Sequence, residues 1–287
     1  MNNLARWAMQ NGRNATLASA ICFAVPLLFW AGAALWALVL MRQGWKEGLY
    51  VILWSAIPAM GWFYAGDPTP LLIGVGTALS ALVLRGSVRL ELAMLAATLV
   101  GVVFYQVLPL ILTDILATVV IRLEEVLSQS LNDQPELLLL VKTLTEPLIH
   151  GVLAASHVLV LVVCLLLGRY WQATLYNPGG FGQEFKSLKL PLGFTLPVML
   201  ALMSASELDP VLIGVLPILT VPLFLAGLAM FHGVLSINSV SSYWMIPMYV
   251  GLIIVGQYMY TLLIFVAVLD SLIDVRTRLK DTASGDE

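Results

Sequence analysis

Residues 148–168 read LIHGVLAASHVLVLVVCLLLG, a run of 21 residues that contains no Asp, Glu, Lys or Arg. A helix of roughly 20 apolar residues is long enough to cross the hydrocarbon core of a bilayer. The whole chain shares this character, because 60% of its 287 residues are hydrophobic and only 11% are charged. A soluble domain carries about 25% charged residues. The sequence therefore predicts an all-α integral membrane protein.

Eight apolar segments have the composition of membrane spans. They cover residues 17–41, 48–64, 69–84, 91–112, 148–168, 191–206, 211–235 and 247–269. No stretch between them is long enough to build a separate soluble core. We expect a single polytopic membrane domain over residues 1–287, folded as a bundle of about eight hydrophobic segments.

Lys and Arg residues concentrate in three short loops, which the positive-inside rule assigns to the cytoplasm. These residues are Arg42, Lys46, Arg85, Arg89, Arg169, Lys186 and Lys189. The acidic segment 113–147 is then external. Eight simple spans would leave both basic termini outside, so the placement of the termini stays open. One resolution is that segment 17–41 breaks at Pro26 into a re-entrant hairpin. A similar break near Pro217 and Pro222 would bring the C-terminus inside.

The external segment begins with an amphipathic pattern, DILATVVIRLEEVLSQSL, in which apolar residues recur at a helical period. This pattern predicts a helix over 113–131 that lies on the outer surface or caps the bundle. The turn NDQP follows, with Pro135 suited to the first position of a new helix. We expect that helix to run from Glu136 to Leu167 with a bend at Pro147.

The glycines of NPGGFG, within residues 169–190, do not form a phosphate-binding loop, because no GxxxxGK[ST] pattern is present. Asn-Pro-Gly-Gly is turn chemistry, and Phe181 and Phe185 share one face of the short helix that should follow. We predict a cytoplasmic interfacial loop. It serves either as a connector or as a docking site for a partner.

Four polar residues, Lys142, Glu146, His150 and His157, follow one another at steps of 4, 4 and 7 along the helix that enters segment 148–168. Ionisable residues inside a membrane are costly and normally face a bundle interior or a water-filled cavity. The stripe therefore indicates the wall of a solute or proton path. The alternative is a Lys142–Glu146 pair at the interface with two neutral histidines bonded to neighbouring helices.

Aromatic residues are expected to complete an apolar pocket beside this stripe, namely Trp62, Tyr64 and Tyr105. Near the C-terminus, Asp270, Asp274 and Arg278 follow one another at i, i+4 and i+8, which places them on one helical face. They form either the ion-paired end of a solvated helix, continuing into a polar tail over 271–287, or a partner-docking or bundle-locking face.

Several functional classes are disfavoured by the sequence. There is no GxSxG motif and no Ser or Cys nucleophile beside a base, so an enzyme using His150 or His157 is the least favoured hypothesis. No HExxH or paired-Cys spacing indicates a metal, and no basic stripe indicates nucleic acid. Cys22 and Cys164 both lie in apolar runs and are expected to be packing residues. We predict no cofactor.

Three stretches, YNPGGFGQEF (176–185), LAMFHGVL (228–235) and LDSLIDVRTR (269–278), occur in this order. Together they resemble the YybS-like family of uncharacterised bacterial inner-membrane proteins. The resemblance implies a multi-pass protein of the bacterial cytoplasmic membrane. It also implies a distant similarity in fold to the substrate-binding components of energy-coupling-factor transporters and to the cell-shape protein MreD.

The transporter similarity implies that small residues at AxxxA spacing, Ala20/Ala24 or Ala33/Ala37, contact an energising membrane partner. Our leading hypothesis is a non-enzymatic solute-binding or transport-related component whose site contains Glu146, His150, His157 and Tyr105. Its partners would be the lipid bilayer, a small solute and separate energising proteins. The alternative is an envelope-assembly scaffold, in which the predicted docking residues Phe181, Phe185, Asp270, Asp274 and Arg278 bind another membrane protein.

Overall fold

The structure is a computed structural model that describes residues 2–131, 133–238 and 240–279. Asn132 of the predicted NDQP turn and residues 280–287 of the predicted polar tail lie outside the described residues. The protein is 87% helical, and the described ranges contain no strand. The all-α prediction is confirmed.

The helices follow one another along the chain with short connections. They are α1 (Asn2–Ala8), α2 (Gly12–Ala24), α3 (Phe29–Gln43), α4 (Trp45–Ser55), α5 (Ile57–Tyr64), α6 (Thr69–Ser87), α7 (Leu90–Ile111), α8 (Thr113–Ser130), α9 (Pro135–Tyr176), α10 (Gly180–Lys186), α11 (Leu192–Met203), α12 (Pro210–Ile237), α13 (Met245–Ile254) and α14 (Gly256–Ile273). Short 3₁₀ turns precede α12 and α13.

Five helices of the described residues are long and apolar enough to cross a membrane: α6, α7, α9, α12 and α14. Helices α11 and α13 are apolar but shorter. These lengths and compositions are those of a membrane protein. The expected count of about eight segments stays a prediction.

The chain breaks at Pro26, as the sequence predicts. Helix α2 ends at Ala24 and α3 starts at Phe29, with Leu27 between them in the left-handed region (φ 65°). The indole Nε1–H of Trp30 donates to the Leu27 carbonyl at 2.6 Å and closes the turn. Helices α2 and α3 pack against each other as a hairpin.

The predicted break near Pro217 and Pro222 is wrong, because α12 continues through both prolines. A proline removes one backbone hydrogen bond, and apolar helices tolerate this loss where neighbouring groups re-satisfy the backbone. Conversely, segment 48–64 is divided at Ala56 and segment 247–269 at Val255, breaks that the apolar pattern does not reveal.

Helix α9 is the longest element and starts at Pro135, within one residue of the predicted position. It passes through Pro147 and ends at Tyr176 rather than Leu167, so residues 169–176 of the expected interfacial loop are helical. Its 42 residues span about 63 Å at 1.5 Å per residue. That length is roughly twice the hydrocarbon thickness of a bilayer, so part of α9 extends beyond it.

The chain folds into two compact units. The first comprises the described residues up to Phe181 together with Leu208–Ile218. The second comprises Gly182–Glu207 and the described residues from Leu219 onward. Helix α12 supplies its start to the first unit and the rest to the second.

The first unit is built around α3, which is buried continuously from Ala31 to Met41. Helices α6 and α9 pack on α3. The indole of Trp36 donates to Ser55 Oγ at 2.8 Å, which links α3 to α4 inside the core. At Gly168 of α9, an added Cβ would press on the Ala34 carbonyl oxygen and on Ala37, so this glycine allows close approach of the two helices.

The second unit contains α11, α13, α14 and most of α12. A Cβ at Gly227 of α12 would overlap the Leu263 carbonyl of α14, so the two backbones touch there. Thr220 and Tyr260 share a hydrogen bond of 2.8 Å between their hydroxyls. The ring of Tyr260 also stacks on Phe224, with centroids 4.8 Å apart.

Candidate functional site

The predicted polar stripe of α9 lies entirely in the first unit, and its members differ in burial. Lys142 and Glu146 are exposed, His150 is half-buried, and His157 is only 6% exposed. The stripe therefore leads along one helix from an exposed end to a buried histidine.

His157 has one ring nitrogen bonded and the other without a partner. Its Nδ1 lies 2.9 Å from the Leu153 carbonyl oxygen, one turn earlier in α9. A carbonyl only accepts, so Nδ1 carries the proton, and Nε2 of the uncharged ring is a bare acceptor. This Nε2 is buried and has no hydrogen-bond partner among the described residues. The alternative interpretation, in which both histidines bond neighbouring helices, therefore does not hold for His157 among the described residues.

Aromatic rings lie around the two histidines. Phe104 of α7 meets the His157 ring edge-on, with centroids 6.1 Å apart. One residue further along α7, Tyr105 meets the His150 ring in the same manner at 6.3 Å. The structure therefore brings together His150 and Tyr105, two of the predicted site residues, and places His157 two turns along the same helix from His150.

A close crossing of α9 and the start of α12 lies beside Tyr105. A Cβ on Gly151 would overlap the Gly214 carbonyl oxygen, and a Cβ on Gly214 would meet the Pro147 carbonyl oxygen at 2.6 Å. The same position lies 2.5 Å from the hydroxyl oxygen of Tyr105. Two glycines thus let α12 approach the polar face of α9 at the level of His150.

Helix α8 packs on α9 and buries Leu116. The other two aromatic residues predicted for the pocket have different environments. Trp62 donates its indole N–H to the Phe23 carbonyl at 3.0 Å, and Tyr64 is 83% exposed. Ala33 and Ala37 are fully buried within this unit. Of the two predicted AxxxA pairs, only Ala20/Ala24, with Ala20 half-buried and Ala24 exposed, is open to an energising partner.

The C-terminal motif forms a buried polar centre in the second unit. The guanidinium of Arg276 donates to Asp270 Oδ2 from Nη2 at 2.7 Å and from Nε at 3.1 Å. Both side chains are almost fully buried, 9% and 3% exposed. The same guanidinium donates to the carbonyls of Lys186 at 2.6 Å and Leu188 at 2.7 Å.

Residues 186–190 are thus held by the end of α14. Ser271 reinforces this attachment by donating its hydroxyl to the Leu190 carbonyl at 3.2 Å. Leu188 and Leu190 are buried as a result. Residues 186–190 of the predicted interfacial loop and the C-terminal stretch, which are far apart in the sequence, meet here.

The predicted helical face of Asp270, Asp274 and Arg278 is wrong. Helix α14 ends at Ile273, and Asp274 adopts the left-handed conformation (φ 53°). The break turns the chain so that Arg276, rather than Arg278, reaches Asp270. Arg278 donates from Nε to the Ile273 carbonyl at 2.7 Å.

Asp274 instead pairs with Lys189, whose Nζ lies 3.0 Å from Oδ1. The hydrogen bond from Lys189 holds the pKa of the Asp274 carboxyl below its ordinary value of 3.8. The Lys189 side chain is half-buried and that of Asp274 is exposed. The pair ties the same 186–190 stretch to the end of α14 a second time.

Phe181 and Phe185, the predicted docking residues, are half-buried against their own chain. Phe181 contacts Tyr170 with ring centroids 6.0 Å apart. Phe185 contacts His232 at 5.7 Å, and His232 also shares a hydrogen bond of 3.2 Å with the Tyr249 hydroxyl. Both phenylalanines therefore contribute to packing.

The sequence-based prediction does not include Arg276 and Ser271. A helical periodicity extended through Asp274 pairs Asp270 with Arg278 instead of Arg276. The signal that marks the break is Asp274 itself, because Asp is among the residues that tolerate the left-handed conformation at the end of a helix.

Comparison of the chain with protein families, curated proteins and solved structures found no match.

Proposed function

We propose that this protein is a multi-pass component of the bacterial cytoplasmic membrane that binds a small solute without catalysing a reaction, as part of a transport process. The observation that carries the proposal is the buried, partnerless Nε2 of His157. The solute would carry a hydroxyl or amino group that donates to this nitrogen.

The physical argument starts from the cost of the unpaired nitrogen. A buried polar atom without a hydrogen bond costs about 1–3 kcal/mol, and such atoms are rare enough that each needs an explanation. A phenylalanine or leucine would fill the same space beside Phe104 without this cost. A ligand donor would remove the cost and convert it into affinity for molecules that carry such a group.

The route to His157 runs along α9. Glu146 is exposed and His150 is half-buried, and a rise of 1.5 Å per residue separates Glu146 from His157 by about 16 Å. Tyr105 stands beside His150. In this proposal Glu146 and His150 guide the solute past Tyr105, and His157 receives it.

The energy for transport would come from a separate subunit or an ion gradient, because the sequence contains no phosphate-binding loop. The YybS-like resemblance and its distant similarity to transporter components support the same assignment. The membrane sidedness of the route rests on the positive-inside distribution of Lys and Arg.

The test is native mass spectrometry of the protein purified gently from its own membranes, with the variant His157→Leu. The wild-type protein is expected to retain a small molecule. The amount retained by His157→Leu should be at least about tenfold lower, since 1.4 kcal/mol corresponds to a factor of ten. Ser156→Ala, at the exposed neighbouring position, is the matched control and should retain the ligand.

Thermal melting of each variant separates loss of the site from loss of the fold. Equal ligand retention by folded His157→Leu and wild type would contradict the proposed site. A co-purifying protein with no small ligand would instead favour the scaffold function predicted from the 169–190 segment.

A further inference from the structure

An apolar groove lies between α3, α4 and α6 of the first unit. Its volume is about 200 Å³, and nine side chains line it, all of them apolar. The lining residues include the buried Trp36 and Leu40 of α3. They also include Trp45 and Leu49 of α4 and Leu79 of α6. The last three are exposed, so the groove is open to the surroundings of the protein.

Cationic side chains lie at one end of this groove. Arg85 lies one turn after the lining residue Leu82 in α6. It donates from Nη1 to the carbonyls of Leu40 at 3.3 Å and Met41 at 2.7 Å. It also lies beside Gly44, where an added Cβ would be 3.3 Å from Cζ. Arg85 is therefore held at the C-terminal end of α3, next to the lining residue Leu40 and to Gly44, which precedes Trp45.

The remaining N–H groups of Arg85 are available to an external acceptor. A guanidinium has five donors, and the two carbonyls engage only Nη1. No carboxylate of the described residues pairs with Arg85, and its side chain is exposed. A planar guanidinium with free donors is suited to bidentate binding of phosphate.

Neighbouring charges add to the positive potential at this end. Arg42 lies over the Tyr176 ring, with Cζ 4.2 Å from the ring centroid, and Lys46 is exposed in the first turn of α4. Glu47 lies beside Lys46 in the same turn. Arg85, Arg42 and Lys46 outnumber this carboxylate, which favours an anionic group.

We propose that this groove binds one acyl chain of an anionic phospholipid, whose phosphate contacts Arg85. Apolar walls alone would accept any lipid chain, and the cations alone would accept any phosphate; an anionic phospholipid satisfies both at once. Basic pockets between membrane helices are known to bind such head groups. The site is separate from the proposed solute route, because α6 turns Thr77 toward α9, where it donates to the Leu161 carbonyl at 3.3 Å.

The experiment measures lipid retention by native mass spectrometry after reconstitution of the full chain into nanodiscs of equal parts phosphatidylglycerol and phosphatidylcholine. The wild-type protein should retain the anionic lipid over the zwitterionic one by about tenfold, a modest preference for one charge-assisted contact. Equal retention of the two lipids would overturn the proposal.

The groove itself is tested by Leu79→Trp, which fills it from its exposed side. Retention of the anionic lipid should fall about tenfold, or 1.4 kcal/mol. Val83→Trp is the matched control, because Val83 is exposed one turn later in α6 and does not line the groove. If both tryptophan variants behave alike, the groove is not the site.

The head-group contact is tested by Arg85→Gln, which keeps an amide donor for the Met41 carbonyl but removes the charge. Retention of the two lipids should converge to within about twofold, because the charge-assisted contact is lost. If Arg85→Gln lowers the melting temperature, Lys46→Gln at its exposed position should reduce the same preference. Unchanged selectivity in the folded variants would overturn the role of the cations.

Discussion

Arg276 is at the centre of the buried polar contacts of the second unit. Its side chain neutralises the buried Asp270 carboxylate and binds two backbone carbonyls of the 186–190 stretch. A buried ion pair of this kind often adds no more to the free energy of unfolding than an apolar pair of the same shape. Removal of one partner is nevertheless destabilising, because it leaves the other charge buried and unpaired.

We therefore expect Arg276→Ala to lower the free energy of unfolding by about 3–5 kcal/mol, measured by chemical denaturation in detergent. Arg122→Ala removes an exposed ion pair with Glu125 and should cost about 0–1 kcal/mol. The double variant Asp270→Leu/Arg276→Met should recover part of the loss, but not the bonds to Lys186 and Leu188. Equal effects of the two single alanine variants would contradict the assigned role.

The Asp274–Lys189 pair makes stability depend on pH. The pKa of Asp274 is lower in the folded protein than its ordinary value of 3.8. The unfolded chain therefore binds a proton first as the pH falls, and the contribution of the pair is present above about pH 4 and lost as the pH falls through the folded pKa.

Melting temperatures measured between about pH 5 and pH 3 should fall more steeply for the wild type than for Asp274→Asn, which cannot titrate at this position. Asp133→Asn, a similar change at an exposed position, should leave the wild-type profile unchanged. Parallel profiles for wild type and Asp274→Asn would refute the contribution.

At the scale of elements, glycine decides which helices approach one another. Gly151 and Gly214 bring α9 and α12 into backbone contact, and no side chain fits between them. Gly151→Ala is expected to cost about 1–3 kcal/mol as an overpacked contact. It should also disturb the His150–Tyr105 contact nearby.

Gly86→Ala is the matched control, because nothing lies within 4 Å of a Cβ at this position of α6. Alanine there should be neutral or stabilising by up to about 1 kcal/mol through helix propensity. Thermal melting of both variants measures the difference, and a similar loss in the two would show that the crossing is not tight.

How much of each element the sequence predicted depends on the kind of signal. The break at Pro26 and the start of α9 at Pro135 were predictable, because proline fixes the local backbone. The break at Val255 has no such marker, and α12 passes through two prolines because its packing, rather than its sequence, sustains it. The prediction that Asp270 faces Arg278 failed because it extends a helix across Asp274, a residue that leaves helical geometry.

At the scale of the whole molecule, the sequence predicted the class correctly, since composition alone separates membrane helices from soluble ones. The arrangement of charged loops yields a further prediction about sidedness. The acidic segment 113–147 should be external, and the 169–190 segment cytoplasmic.

Thiol labelling of intact cells tests this arrangement. Gln129→Cys in α8 should react with a membrane-impermeant reagent, whereas Gln183→Cys in α10 should react only after the cells are opened. Both positions are exposed, and the two native cysteines, Cys22 and Cys164, are buried, so background labelling should be low. The reverse pattern would invert the predicted orientation.

The two tight glycine contacts of α9 become possible at different times during synthesis. Gly168 packs on α3, which precedes α9 in the chain, so this surface can be covered as soon as α9 has been made. Gly151 packs on Gly214 of α12, which the ribosome adds much later. Until then the half of α9 that carries His150 has α7 and α8 beside it but not α12, and a chaperone or insertase would meet the side that α12 later covers.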